Sequence, residues 1–319
     1  MAVYTQVSAE AMAALLARYD AGALVSAKGI AEGVENSNYL VETTAGRFIL
    51  TLYEKRVDAG DLPFFLALLD HLADRGLPVP RAIRDRAGAQ LQTVCGRPAC
   101  LIEFLPGVSL STPTPAQARA AGEALGAMHA ALADFDRERP NALGPAGWHE
   151  LAERCGREVE AIQPGLAARI ADELAFLDAH WPADLPRSVI HADLFPDNVL
   201  MLDERVTGII DFYFACTEIR AWDVAVTHAS WAFSSDGAKY HAPIGRALLE
   251  GYSATFGLSA AERAALPVLA RGAALRFTLT RAWDWLNTPA DALVTRKDPL
   301  AFLRRLEAYA AGGEAMFAA

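Results

Sequence analysis

The chain has 319 residues, 53% hydrophobic and 21% charged, which suits a water-soluble globular protein of one large or two smaller domains. Its formal net charge of -10 argues against nucleic acid as a partner, which requires a basic face, and offers no polybasic anchor for anionic lipid. No apolar run approaches the ~20 residues that a membrane helix needs, and no basic residue opens the first segment as a secretory signal would, so a cytoplasmic protein is expected. Four cysteines at 95, 100, 155 and 216 lack paired spacing and read as reduced, mostly buried thiols.

In chain order, Ser8 and the stripe Met12, Leu15, Leu16, Tyr19 predict a helix over 8–20, ended by Gly22. Strand character follows at 25–29. A polar loop then runs through Asn36-Ser37-Asn38, and strands at 39–43 and 47–53 are separated by Thr44-Ala45-Gly46. Pro63 opens a helix from Leu62 to Arg75, closed by Gly76, and further strands are expected around 81–84, 91–94 and 99–104. Leu105-Pro106-Gly107 breaks the last strand. A long Ala-rich helix then runs from Thr112-Pro113-Thr114-Pro115 to about Ala133, and the remainder is mostly helical, interrupted by β-like residues over 188–214. The reading is an α+β chain of two lobes, 1–104 rich in strands and 105–319 mostly helical.

One stretch carries chemistry. His191-Ala192-Asp193-Leu194-Phe195-Pro196-Asp197-Asn198 is a His-x-Asp-x-x-x-x-Asn pattern between apolar pairs, followed by Ile209-Ile210-Asp211-Phe212-Tyr213. Phosphoryl transfer asks for one carboxylate to orient a hydroxyl and take its proton, and for hard oxygen ligands to hold magnesium against nucleotide phosphates. Asp193 takes the base role, Asn198 and Asp211 the magnesium roles, and His191 a structural one.

These stretches, with Gly29–Tyr39, Phe48–Glu54, Asp61-Leu62-Pro63-Phe64-Phe65, Gly76–Pro80 and Ile210–Cys216, resemble the aminoglycoside phosphotransferase and choline kinase superfamily. Within it they resemble most closely the homoserine kinase branch. The resemblance implies a protein-kinase-like fold, ATP and Mg2+ as cofactors, and L-homoserine as the substrate. Other small hydroxyl substrates, such as an aminoglycoside, a choline-like alcohol or a sugar, stand as the alternative, and a non-catalytic pseudokinase as a third reading. Gly29 and Gly33 bracket the expected phosphate-covering loop, Asn36, Ser37 and Asn38 add candidate donors, and Glu103-Phe104-Leu105 is the segment expected to meet adenine through its backbone. Asp223 is expected to brace the catalytic turn.

Two departures stand out. Thr51 occupies the strand position of the usual kinase lysine, and Phe65 that of its glutamate partner. The homoserine kinase branch shares the threonine, so the chain reads as active, with Lys28, Lys55 and Arg56 as candidate cations. A homoserine carboxylate calls for an arginine, and Arg276 and Arg281, on a helix expected over 271–287, are the candidates beside Tyr213; for either, an internal ion pair is the competing reading.

Overall fold

The computed structural model describes residues 4–30, 36–54, 57–288 and 296–318. It divides into two compact units, one of residues 1–107 and 207–213, the other of 108–206 and 214–319. The segment Thr207–Tyr213 thus belongs with the strand-rich unit, although it lies within residues 105–319, assigned from the sequence to the second lobe.

The first unit is built on five antiparallel strands: β1 (Leu24–Gly29), β2 (Asn36–Thr43), β3 (Gly46–Tyr53), β4 (Gln92–Val94) and β5 (Arg97–Glu103), in the spatial order β1-β2-β3-β5-β4. Helix α1 (Ala9–Leu16) starts at Ser8, whose hydroxyl accepts the Ala11 N–H at 3.2 Å. It is shorter than the periodicity suggested, because the chain leaves the helix at Ala17 although Tyr19 stays in the core. Met12, Leu15 and Leu16 pack with Tyr39, Val41, Leu50, Leu52 and Leu101 into one apolar cluster. Helix α2 (Leu62–Asp74) buries Leu62, Phe65, Leu68 and Leu72. The strand expected at 81–84 is reduced to a single bridge, Ala82 to Ile102, and Asp85 instead opens a turn whose amides its carboxylate accepts. The N–H of Ile209 donates to the Pro78 carbonyl at 2.7 Å, tying the returning segment to this unit.

In the second unit, short β6 (Val108–Ser109) leads to α3 (Pro115–Ala131), which Thr114 and Gln117 start as a capping box with Pro115 at the first turn. Helices α4 (Pro145–Cys155) and α5 (Leu166–His180) follow. Then come β7 (Arg187–Ile190), β8 (Val199–Leu202) and β9 (Arg205–Ile209), along which the chain passes into the first unit. β10 (Cys216–Ile219) pairs antiparallel with β7, and β6 with β8. The last helices are α6 (Arg220–Trp231), α7 (Ala242–Thr255), α8 (Ala260–Asn287) and α9 (Leu300–Gly312). Helix α8 begins earlier than the sequence suggested, at a second capping box formed by Ser259 and Glu262.

Every residue of α6 from Ala221 to Trp231 is buried, so this helix is the axis of the second unit. Small residues bring α3 and α7 close: a Cβ on Gly122 would collide with the Leu248 carbonyl, and one on Gly251 with the Arg119 carbonyl. Cys100, Cys155 and Cys216 are buried free thiols and Cys95 is exposed. Among the described residues, no helix is long and apolar enough to cross a membrane.

Candidate active site

The His-x-Asp turn lies between β7 and β8 in the second unit. It contains Ala192 at φ +63°, a left-handed conformation that costs a non-glycine residue roughly 1–2 kcal/mol and therefore needs outside support. Buried α6 provides it. Asp223 accepts the His191 N–H on Oδ2 and the Ala192 N–H on Oδ1, both at 2.8 Å. The Leu194 carbonyl accepts the Trp231 indole N–H at 2.9 Å and the Ser230 hydroxyl at 3.2 Å. From α8, the Arg276 guanidinium donates to the Ala192 carbonyl. The turn is thus held by side chains reaching its backbone, the pattern that satisfies buried polar groups where no ladder can.

Within the turn, the Asp193 N–H donates to His191 Nδ1 at 3.2 Å. His191 is fully buried. Asn198, at the end of a short turn of 3-10 helix, donates its amide to the Asp193 carbonyl at 2.8 Å and to Oδ2 of Asp193 at 3.3 Å. Those bonds use the nitrogen and leave the side-chain oxygen as the atom suited to a hard cation. The Asp193 carboxyl is pushed above its ordinary range by burial, partly offset by the charges of Arg276, His191 and Lys297. A carboxylate whose pKa is raised is a better proton acceptor than an ordinary aspartate.

Behind the turn, Asp223 is fully buried. Burial pushes its carboxyl up, but the His129 hydrogen bond and nearby charges outweigh that and hold it below its ordinary value. His129, on α3, places Nε2 3.1 Å from Asp223 Oδ2 and Nδ1 2.9 Å from the Tyr252 hydroxyl on α7. A lone histidine in an Ala-rich helix gives no hint of this role in the sequence; the nearby small residues Gly122 and Gly126 are the one available signal.

The two candidate arginines diverge. Arg276 is 2% exposed, with its guanidinium over the rings of Phe277 at 4.5 Å and Phe214 at 5.2 Å. Arg281 lies one and a half turns further along α8, stacked 4.5 Å over Phe302 and donating to the Asp298 carbonyl at 3.2 Å. Phe302 packs against Phe195, two residues past Asp193, at 5.9 Å between centroids. Burial lowers the Arg281 pKa to about 10, while Asp193, Asp298 and Asp197 support its charge.

In the first unit, Gly29 ends β1 opposite Tyr39. Gly33, Lys55 and Arg56 lie outside the described residues. Asn36, Ser37 and Asn38, expected in a loop, are instead the first residues of β2, because each polar side chain finds a partner there. The Ser37 hydroxyl donates to Glu54 at 2.8 Å and accepts the N–H groups of Tyr4 and Thr5, which encloses it. Asn36 accepts the Glu54 N–H at 3.4 Å, and Asn38 accepts the Thr51 hydroxyl at 2.8 Å. Glu103 ends β5, with its carboxylate taking the Arg81 N–H at 3.1 Å, and Phe104 lies 4.3 Å beneath Arg47; Leu105 follows outside any element.

Where a lysine and glutamate would pair in most kinases, this unit has the neutral Thr51–Asn38 bond. Phe65 and Tyr53 each meet Tyr213 edge-on, at 5.7 and 5.5 Å. Asp211 is half-buried in a second left-handed position, φ +67°. Among the described residues no three His, Cys, Asp or Glu side chains form a metal cage, and magnesium held mostly by phosphates and waters requires none.

Residues 26–264 match the model of the family described as "Phosphotransferase enzyme family". The chain is 56% identical to a homoserine kinase of Zymomonas mobilis over 97% of both sequences. It is also 56% identical to a homoserine kinase of Azorhizobium caulinodans, over 96% of this chain and 95% of that protein. Among solved structures, the fold is similar to that of a spectinomycin phosphotransferase in complex with ADP and spectinomycin, with a TM-score of 0.73 at 16% identity over 97% and 100% of the two chains. It is similar too to a choline kinase from Cryptosporidium parvum, with a TM-score of 0.64 at 16% identity over 92% and 90%. At such identities the likeness speaks for the kinase-like fold alone. With a family match across most of its length and near-complete relatives above half identity, this chain belongs to the phosphotransferase enzyme family, alongside the relatives named homoserine kinase.

Proposed function

We propose that the chain transfers the γ-phosphoryl group of ATP to the hydroxyl of L-homoserine, giving ADP and O-phospho-L-homoserine in the cytoplasm for threonine synthesis. The observation that carries this reading is the near-full-length likeness to relatives bearing the homoserine kinase name. Asp193 accepts the hydroxyl proton as the new O–P bond forms and the bond to the leaving ADP oxygen breaks. The Asn198 oxygen and the Asp211 carboxylate are the proposed magnesium ligands, and the hard-oxygen chemistry of both fits that ion. Magnesium, when bound, neutralises charge on the phosphates. Arg281 is the proposed partner of the homoserine carboxylate, since its planar fork matches that group and its stacking on Phe302 places it beside the Phe195 end of the turn. Gly29 and the Glu103–Leu105 backbone remain the proposed nucleotide contacts.

A coupled ADP-release assay with homoserine, choline, kanamycin and a methylthio-sugar, with and without magnesium, tests the reading. Magnesium-dependent turnover of homoserine above the others is expected. Faster turnover of another alcohol would transfer the assignment to that substrate. ADP release with none of them would overturn the homoserine reading.

A further inference from the structure

Arg276 and Arg281 share one helix and two aromatic surroundings, but they face different tasks. Arg276 is 2% exposed, and Phe277, Phe214 and Trp222 surround its guanidinium at 4.5, 5.2 and 5.7 Å. A group so enclosed is poorly placed to receive a solvent-borne carboxylate. Its Nη1 instead donates to the carbonyl of Ala192, whose N–H is already held by Asp223. The left-handed residue immediately before Asp193 is therefore gripped at both of its backbone polar groups, from α6 on one side and α8 on the other.

We propose that Arg276 is a positioning residue, which fixes the Ala192–Asp193 peptide and through it the direction of the Asp193 side chain, and that it does not bind substrate. The inference deepens the kinase reading and rests on it. Arginine suits the task because its charge survives burial and its flat face lies against rings while one edge reaches the carbonyl.

The test compares Arg276→Lys and Arg276→Met with the wild-type enzyme in steady-state kinetics and in amide hydrogen exchange of the peptide covering 190–199. Arg276→Met should lower kcat by roughly 10²-fold, the scale of a misplacement near one ångström, while KM for homoserine stays within about threefold. Exchange in the turn should quicken while α7 and α9 keep their protection. Arg276→Lys, which retains a donor and the charge, should recover part of kcat and of the protection. A KM raised tenfold or more with kcat intact would overturn the proposal, as would unchanged exchange in the turn of Arg276→Met. If Arg276→Met does not fold, Arg276→Lys and Arg276→Gln provide the same comparison. Should the wild-type enzyme fail to turn over homoserine, the substrate reading falls, and the exchange measurement still decides the positioning role.

Discussion

His129 Nε2 lies 3.1 Å from Asp223 Oδ2, both side chains sealed from solvent, joining helices α3 and α6 behind the His191–Asn198 turn. Asp223 consequently serves three donors at once, the His129 ring and two backbone N–H groups of the turn. Asp223→Ala leaves those donors unsatisfied and should destabilise the fold by about 3–5 kcal/mol, the range for breaking a buried charged network. Asp223→Asn should also destabilise, because its NH2 would face a backbone N–H. Thermal denaturation of both variants measures the losses.

The same carboxylate makes a pH prediction. Its pKa is held below the ordinary value of 3.8, so the unfolded chain takes up its proton first as pH falls. The stability it contributes is present above that value and is lost as pH drops through the folded pKa. Urea titrations of wild type and Asp223→Asn should therefore converge below about pH 4. A gap that persists unchanged at pH 3 would contradict the assignment.

Asp193 carries the opposite sign. Burial raises its pKa, so the fold favours the protonated form, and that contribution is lost as pH rises through the folded value. At neutral pH the ionised group is a net stability cost. Asp193→Asn should then melt at or above the wild-type temperature, with the increase vanishing in acid, while kcat falls by ~10²–10⁴-fold.

Asp211→Asn should weaken magnesium-dependent ATP binding, measured calorimetrically with and without the ion, and should lower the rate as well. Equal Mg-ATP affinity in variant and wild type would remove Asp211 from the metal.

Arg281→Met should raise KM for homoserine by about 10–100-fold with a smaller change in kcat, corresponding to the loss of a charge-assisted bond worth ~1.5–3 kcal/mol. Steady-state kinetics separate this pattern from that expected at Arg276.

Legibility followed chain separation. Asp193 and Asn198 sit five residues apart, so their pairing in one turn could be read along the chain, and there they are hydrogen-bonded to each other. The strand-rich and helical character of the two parts could also be read from periodicity. His129, by contrast, meets Asp223 across 94 residues, and its Ala-rich surroundings look like any packed helix. Asn36, Ser37 and Asn38 read as turn formers because their composition is polar; the partners that make them a strand, Glu54 and Thr51, come from the neighbouring strand and its end. Arg276 could be placed on a helix among aromatic and apolar residues, but not matched to the backbone oxygen it reaches.

The His191–Asn198 turn makes some bonds within itself, as between Asn198 and Asp193, but others come from outside it. The His191 and Ala192 amides and the Ala192 and Leu194 carbonyls are satisfied by α6 and α8, and α6 is in turn secured through His129 and Tyr252 on α3 and α7. Such a loop has no cheap private opening: releasing it means dismantling the helical unit. Heat inactivation of this enzyme should therefore track the cooperative melting of its helices, with no earlier temperature window in which the protein stays folded yet has already gone silent.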